Sequence, residues 1–469
     1  MNQLTGRMRF CVAFVLCLMT SAAAQVTFTN LLYFSTLQGS GPYSSLIQGT
    51  DGNLYGIAYT GGLNNQGTVF KITPAGVLTV VYNFCAQPNC SDGASPEGSL
   101  VLDTDGNLVG SAAFGGTANS GVVFKVTPAG TYTVLHSFTG SDGAIPFGLS
   151  LGQDRNFYGA TANSSGTIFK LTPSGTLTTL YSFCSQANCT DGRSPSVPIQ
   201  GSDGNLYGTT QSGGNTSSAC QVNYDGCGAV YKVTRGGKLT VLHAFNFADG
   251  KLPLAPLIQS ASGSFYGTTF EGGYVYQFLC GFGCGTIFKI SSTGAFATVR
   301  VLHGVEAGNP ESALAYGSDG NFYGEVPTGG GDGAVFKQPA SGKFSIVYDF
   351  RSDYGGGGST AIFQATDGRF YGTAGPPLSG LAFSLETGLR PFVAFVLPSG
   401  KVDQSAQILG QGFTGTTSVT FNGVPTSNFT VVSDTYLTAV VPKGATTGNV
   451  VVTTTAGTLT SNVSFRVTK

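Results

Sequence analysis

The sequence has no tryptophan, three histidines and three methionines, and only 10% of its 469 residues are charged. Lys and Arg number 22 against 23 Asp and Glu, a net charge of −1. So sparse and balanced a charge leaves no basic footprint for nucleic acid or for an anionic membrane surface. Without tryptophan, stacking on a ligand falls to tyrosine and phenylalanine. The histidines His136, His243 and His303 share one position of an internal repeat, which other copies fill with Tyr82, Tyr181 and Tyr348. A position that accepts either residue reads as a strand position with a polar tip, not as a catalytic one. No segment beyond the N-terminus is apolar enough to span a bilayer.

What is abundant is glycine, 71 residues, with 20 prolines, which suits a chain of tight turns. A hydrophobic content of 41% excludes global disorder. The N-terminus has Arg7 and Arg9, then an apolar run from Phe10 to Met19, then Ala22, Ala23 and Ala24. This order predicts a signal peptide over residues 1–24 and a secreted or cell-surface protein. Cleavage removes Cys11 and Cys17. The eight remaining cysteines form four local pairs: Cys85/Cys90, Cys184/Cys189, Cys220/Cys227 and Cys280/Cys284. In an exported chain they predict disulfides. Each closes a short loop and stabilises by about 2 kcal/mol at most, so they staple loops rather than frame the fold.

The stretch "DGNLYG" begins at Asp51 and returns in variant form at Asp105, Asp154, Asp203, Ser262, Asp319 and Asp367. A second motif, "GTVFK" at Gly67, follows each copy, and a third, such as "LTVLHSF" ending at Phe138, comes next. With a short apolar run ahead of the first motif, every unit holds four candidate strands, A to D. Asp-Gly joins A to B, and "TPAG" or "TPSG" joins C to D, both hairpin signals. Seven such units predict an all-β fold, a seven-bladed β-propeller over residues 25–396 with strand A at the central channel. A linear β-solenoid is the alternative. Asn30 to Ser35 resembles a D strand and is expected to complete the last blade. Its competitor is Leu389 to Phe395, which Pro391 weakens as an interior strand.

These ordered motifs resemble the Gloeo/Verruco (GloVer) tandem repeat of exported bacterial proteins over roughly residues 30–390. The resemblance implies export and tandem repetition, and no particular activity. The seventh unit departs most, with "GLAFSLETG" in place of the C strand and its turn. Residues 397–469 alternate Val or Phe with Thr or Ser and carry "SVTFNGVPT", a strand, an Asn-Gly turn and a return. They predict a small immunoglobulin-like β-sandwich. Through "ILGQGF", "VTFNGVP" and "GNVVVTT" this tail resembles the IPT/TIG domain, although Asp403 stands where that resemblance leads one to expect glycine.

In a propeller the A–B and C–D turns share one face, and the B–C and D–A loops the other. Loop-length variation and all four cysteine pairs fall on the second face, where binding usually resides. The loop "EGGYVYQFLCGFGC" offers Tyr274, Tyr276, Phe278 and Phe282 to a glycan or a protein partner, or to a neighbouring loop. Asp92, Asp142, Asp191 and Asp249 recur before glycine in D–A loops; they read as turn residues or, more weakly, as a Ca²⁺ site. The recurring lysines, such as Lys71 and Lys125, read as architectural. "GLSLG" at Gly148 has the nucleophile-elbow spacing but lies in an A strand, the wrong context. Glu97, Glu271, Glu311 and Glu325 are the carboxylates from which an acid/base pair could be drawn. The expected function is a non-enzymatic binding or surface-interaction protein needing no cofactor. The alternatives are a polysaccharide lyase or glycosidase and a purely structural envelope component.

Overall fold

Turn glycines alternating with short apolar runs favour hairpins, and the computed structural model is built of them. It describes residues 26–468 apart from 43, 222–224, 276–279, 305–307, 328–332, 351–360 and 375–379. The expected leader lies outside the described residues. Among those described, no helix is long and apolar enough to cross a membrane.

Seven antiparallel sheets share one plan. Sheet 1 orders its strands A to D in sequence: Ile47–Gln48, Leu54–Ala58, Thr68–Ile72 and Leu78–Asn83. Sheets 2 to 6 follow at 94–137, 146–182, 193–244, 258–301 and 315–349; strand A of sheet 4 is split in two. Sheet 7 takes Phe363–Gln364, Phe370–Ala374 and Leu381–Glu386 from late in the chain and its fourth strand, Thr27–Tyr33, from the beginning. Thr27 lies opposite Glu386.

The register explains the motif. Gly56 of strand B faces Phe70 of strand C, and a Cβ there would stand 2.6 Å from the Phe70 ring. Glycine is required because the aromatic ring lies across it. The same contact recurs from Gly110 with Phe124 to Gly372 with Phe383. The motif's aspartate locks the hairpin: the Asp51 carboxylate accepts from the Asn53 N–H and, at 2.8 Å, from the buried Tyr55 hydroxyl. Asp154, Asp203, Asp319 and Asp367 hold Tyr158, Tyr207, Tyr323 and Tyr371 in the same way.

Successive sheets pack face to face through apolar clusters. Tyr55, Val69 and Phe84 of sheet 1 meet Leu100, Leu108 and Phe124 of sheet 2. The phenylalanine that ends strand D sits edge-on to the strand C aromatic of the next sheet. Phe84 meets Phe124 at 5.1 Å between centroids, Phe138 meets Phe169 at 5.4 Å, and Phe245 meets Phe288 at 5.1 Å. Sheet 7 meets sheet 1 identically: Phe34, just past strand Thr27–Tyr33, stands 4.9 Å from Phe70. Glutamines ending the A strands reach back one sheet. Gln200, Gln259 and Gln364 accept from the N–H groups of Gln153, Ser202 and Ser318 at 2.7, 3.0 and 2.7 Å. Gln48 of sheet 1 accepts from the Thr366 N–H of sheet 7 at 2.9 Å. Tyr266 of sheet 5 stands 4.0 Å from Phe322 of sheet 6, so each sheet contacts the next and sheet 7 contacts sheet 1.

The tail forms two further four-stranded sheets around Ile408, Phe413, Phe421, Leu437, Val452 and Phe465. Its Asn-Gly turn has positive φ at Asn422 (47°) and Gly423 (84°), the pair a type I′ hairpin needs. Asp403 has φ 66°, the left-handed region where glycine fits without strain. Ala394–Phe395 pairs with Ser405–Leu409, so this segment joins the tail and leaves the last place in sheet 7 to the N-terminal strand.

Candidate functional site

The short A strands of all the sheets meet around one cavity. Residues from all seven sheets, among them Phe147, Val197, Leu254, Ile258 and Phe363, line this cavity of about 810 Å³. That volume is in the range of small-molecule sites. Phe392, Ala394, Asn462 and Val463 line it as well, so the tail closes part of its wall. The tail reaches it over the A–B turns. Thr435 Oγ1 donates to the Thr50 carbonyl at 3.0 Å, Gln411 Nε2 donates to Thr366 Oγ1 at 3.0 Å, and Arg466 hydrogen-bonds Gln153. Thr50, Gln153 and Thr366 belong to the A–B turns of sheets 1, 3 and 7.

The other end carries the B–C and D–A loops, which pack on each other. The N–H groups of Gly116, Gly214 and Gly273 donate to the carbonyls of Cys90, Cys189 and Phe247. All four expected disulfides are present, and all four lie in these loops. Arg193 links two stapled loops, donating to Cys189 Sγ at 3.4 Å and pairing with Asp225 at 3.1 Å. At the root of loop 272–285 the fully buried Lys251 pairs with Glu271 at 3.1 Å. An ion pair taken out of water this way fixes geometry more than it stabilises.

Of the expected aromatic contacts, Tyr274 and Phe282 are 47% and 46% exposed, with Val275 beside them at 42%. The Tyr274 carbonyl accepts from the Cys284 N–H, and its ring edge meets His303 at 4.8 Å. Tyr276 and Phe278 lie outside the described residues.

The structure does not bring the four loop aspartates together. Each organises its own loop against the outermost strand of its own sheet. Asp92 accepts from the Tyr82 hydroxyl at 2.7 Å and the Ala86 N–H; Asp191 does the same with Tyr181 and Ser185. Asp142 and Asp249 hold His136 at 2.9 Å and His243 at 3.1 Å. Tyrosine and histidine exchange at this position because either can place one polar atom on the carboxylate. Among the described residues no three His, Cys, Asp or Glu side chains gather as a metal site would require.

The glutamates also separate. Glu97 and Glu311 follow Pro96 and Pro310 at equivalent places in sheets 2 and 6. Solvent reaches both, yet the protein packed around them pushes both carboxyls above the usual range. Glu311 lines the cavity. Glu325 is buried within sheet 6, and Glu271 belongs to Lys251. The glutamine belt at the far end of the A strands went unread in the sequence. Its signal was there, in "IQG", "IQG", "IQS" and "FQA" ahead of four of the hairpin turns.

Among solved structures, the extracellular domain of a hybrid two-component system from B. thetaiotaomicron is similar with a TM-score of 0.51 at 12% identity, over 91% of this chain and 54% of that one. A gluconolactonase from Xanthomonas campestris aligns at a TM-score of 0.39 and 16% identity, over 69% of this chain and 90% of that one. An aldose sugar dehydrogenase from Streptomyces coelicolor aligns at 0.40 and 16%, over 62% and 94%. Likeness at these identities reports an all-β, propeller-like architecture and not an activity. No curated protein sequence matches the chain. The Gloeobacter/Verrucomicrobia repeat matches residues 17–165, 152–278 and 216–432, nearly the whole length in overlapping stretches, and the chain belongs to that repeat family.

Proposed function

We propose that this protein is an exported interaction protein, a closed seven-bladed β-propeller capped on one face by an immunoglobulin-like domain of IPT/TIG type. It presents its disulfide-stapled loops to an extracellular glycan or protein. The observation that carries this reading is the division of the two faces. The tail occupies the uniform hairpin turns, where Thr435 and Gln411 bond Thr50 and Thr366. The opposite end holds the variable loops, all four disulfides and the exposed side chains of Tyr274, Val275 and Phe282. Variable loops held on a rigid scaffold are where recognition is usually built. Half-exposed aromatic rings supply the large, stiff contact area that sugar faces and protein hot spots use. Export agrees with four disulfides, which persist in oxidising compartments.

The test is a glycan array and a surface-protein pull-down with the mature chain, with and without calcium. Wild-type binding that falls at least about tenfold in a Tyr274→Ala, Phe282→Ala double variant supports the reading. Binding that survives this variant but is lost on removing the tail places recognition on the other face and overturns it. So does cleavage of a bound polysaccharide, which makes the protein an enzyme.

A further inference from the structure

The axial cavity has a chemistry of its own, separate from the loop aromatics. Its wall is mostly apolar: Phe147, Val197, Leu254, Ile258, Phe363 and Phe392 come from four of the sheets and from the segment leading into the tail. Two of the polar side chains in its lining are already committed. Gln259 Oε1 accepts from the Ser202 N–H while Nε2 donates to the Gly263 carbonyl, and Gln364 does the same with Ser318 and Gly368. Among the described residues lining the cavity, only Glu311 carries a formal charge. It stands at the loop end of its A strand, where solvent reaches it. Among the described residues it has neither a hydrogen-bond partner nor a cation. No Arg or Lys is among the described lining residues. A carboxylate at the mouth of an apolar chamber, crowded by protein and without a counter-charge, favours an incoming cation over an anion.

We propose that the axial cavity binds a small amphipathic amine, its apolar body among Phe147, Val197, Leu254 and Ile258 and its ammonium on the Glu311 carboxylate. The volume of about 810 Å³ leaves room for a phenylalkyl or short alkyl body. The ammonium stays at the loop end, where solvent helps to hydrate it. Anions of the same shape are rejected by the same carboxylate. A neutral alcohol keeps the apolar contacts and loses the charge-assisted hydrogen bond, which is worth about tenfold in affinity.

The experiment titrates the mature full-length protein calorimetrically with three matched probes, 4-phenylbutylamine, 4-phenylbutanol and 4-phenylbutyrate. The expected order is amine, then alcohol about tenfold weaker, then carboxylate weakest. Glu311→Gln removes the amine's advantage and leaves the alcohol unchanged. Ser99→Phe, which fills the chamber from sheet 2, weakens amine and alcohol together. Both variants are checked for an unchanged thermal midpoint, and Glu311→Asp supplies a second reading should either unfold, since it keeps the charge and is expected to keep the amine preference. Failure of all three probes to bind overturns the proposal. So does a carboxylate that binds as well as the amine, or an amine affinity unmoved by Glu311→Gln. The Tyr274→Ala, Phe282→Ala variant leaves amine binding intact, which distinguishes failure of this site from failure of the loop-face reading.

Discussion

Replacing Phe34 by alanine tests whether the sheets close on themselves. Phe34 follows the strand that completes sheet 7, and its ring is 4% exposed. It packs edge-on to Phe70 of sheet 1 at 4.9 Å, within a cluster that includes Leu46, Leu54, Tyr371 and Ala382. Phe84 makes the equivalent contact with Phe124 inside the continuous chain. Truncating a fully packed phenylalanine costs about 3–5 kcal/mol, transfer and cavity terms together. In a closed ring the two substitutions have the same surroundings, so each is expected to cost that amount. In an open stack Phe34 would sit at a free end and its loss would cost under about 1 kcal/mol, as surface changes do. The assay is urea denaturation of the mature chain followed by tyrosine fluorescence and far-UV circular dichroism, since tryptophan is absent. A Phe34→Ala variant whose midpoint stays at the wild-type value while Phe84→Ala drops would refute closure.

Acid should weaken the fold through the motif aspartates. Burial pushes the Asp203 and Asp319 carboxyls up, but hydrogen bonds from Tyr207 and Asn205, and from Lys337, Asn321 and Tyr323, outweigh it and hold both below their ordinary value. A carboxyl depressed in the folded state contributes stability above its unfolded pKa of about 4 and loses it as pH falls through the lower folded value. Denaturation midpoints measured between pH 7 and pH 2 should therefore fall mainly below about pH 4, and less steeply in Asp203→Asn. His136→Tyr should change stability by less than about 0.5 kcal/mol, because Tyr82 and Tyr181 make the same bond to Asp92 and Asp191 in sheets 1 and 3. Differential scanning fluorimetry reads it; a large drop would deny that the position is interchangeable. Cys220→Ser with Cys227→Ser should cost at most about 2 kcal/mol and raise proteolysis of residues 213–228 while the sheets keep their circular dichroism. Tyr371→Phe, which removes a 2.7 Å bond to Asp367, should cost about 1–2 kcal/mol by the same denaturation assay.

The strands, the hairpins and the disulfides could be read from the chain because their causes are local. The Asp-Gly turns, the alternation around "FYG" and the cysteine pairs each lie within a few residues of their partners. The role of Phe84 could not be read that way, since its partner Phe124 is forty residues on and belongs to another sheet. The same holds for Gln48 and Thr366, whose contact exists only once the ring is complete. Of the candidate site, the loop face and its staples followed from strand alternation. The axial cavity did not, because a cavity is set by what seven distant segments leave unfilled, and Glu311 could be named as a carboxylate but not placed there. The loop aspartates were legible as turn residues, yet their Tyr and His partners were seen only as a substitution pattern.

One feature of the tail bears on how the molecule is made. Its residues Thr435 and Gln411 grip Thr50 and Thr366, which flank the junction between the first and last sheets. Joining chain ends that lie several hundred residues apart costs about 5 kcal/mol of entropy before any contact repays it. The first strand must wait unpaired until Leu381–Glu386 has been synthesised, and the part that then spans the junction emerges later still. The tail acts as a buckle, fastened only when the belt has gone fully round.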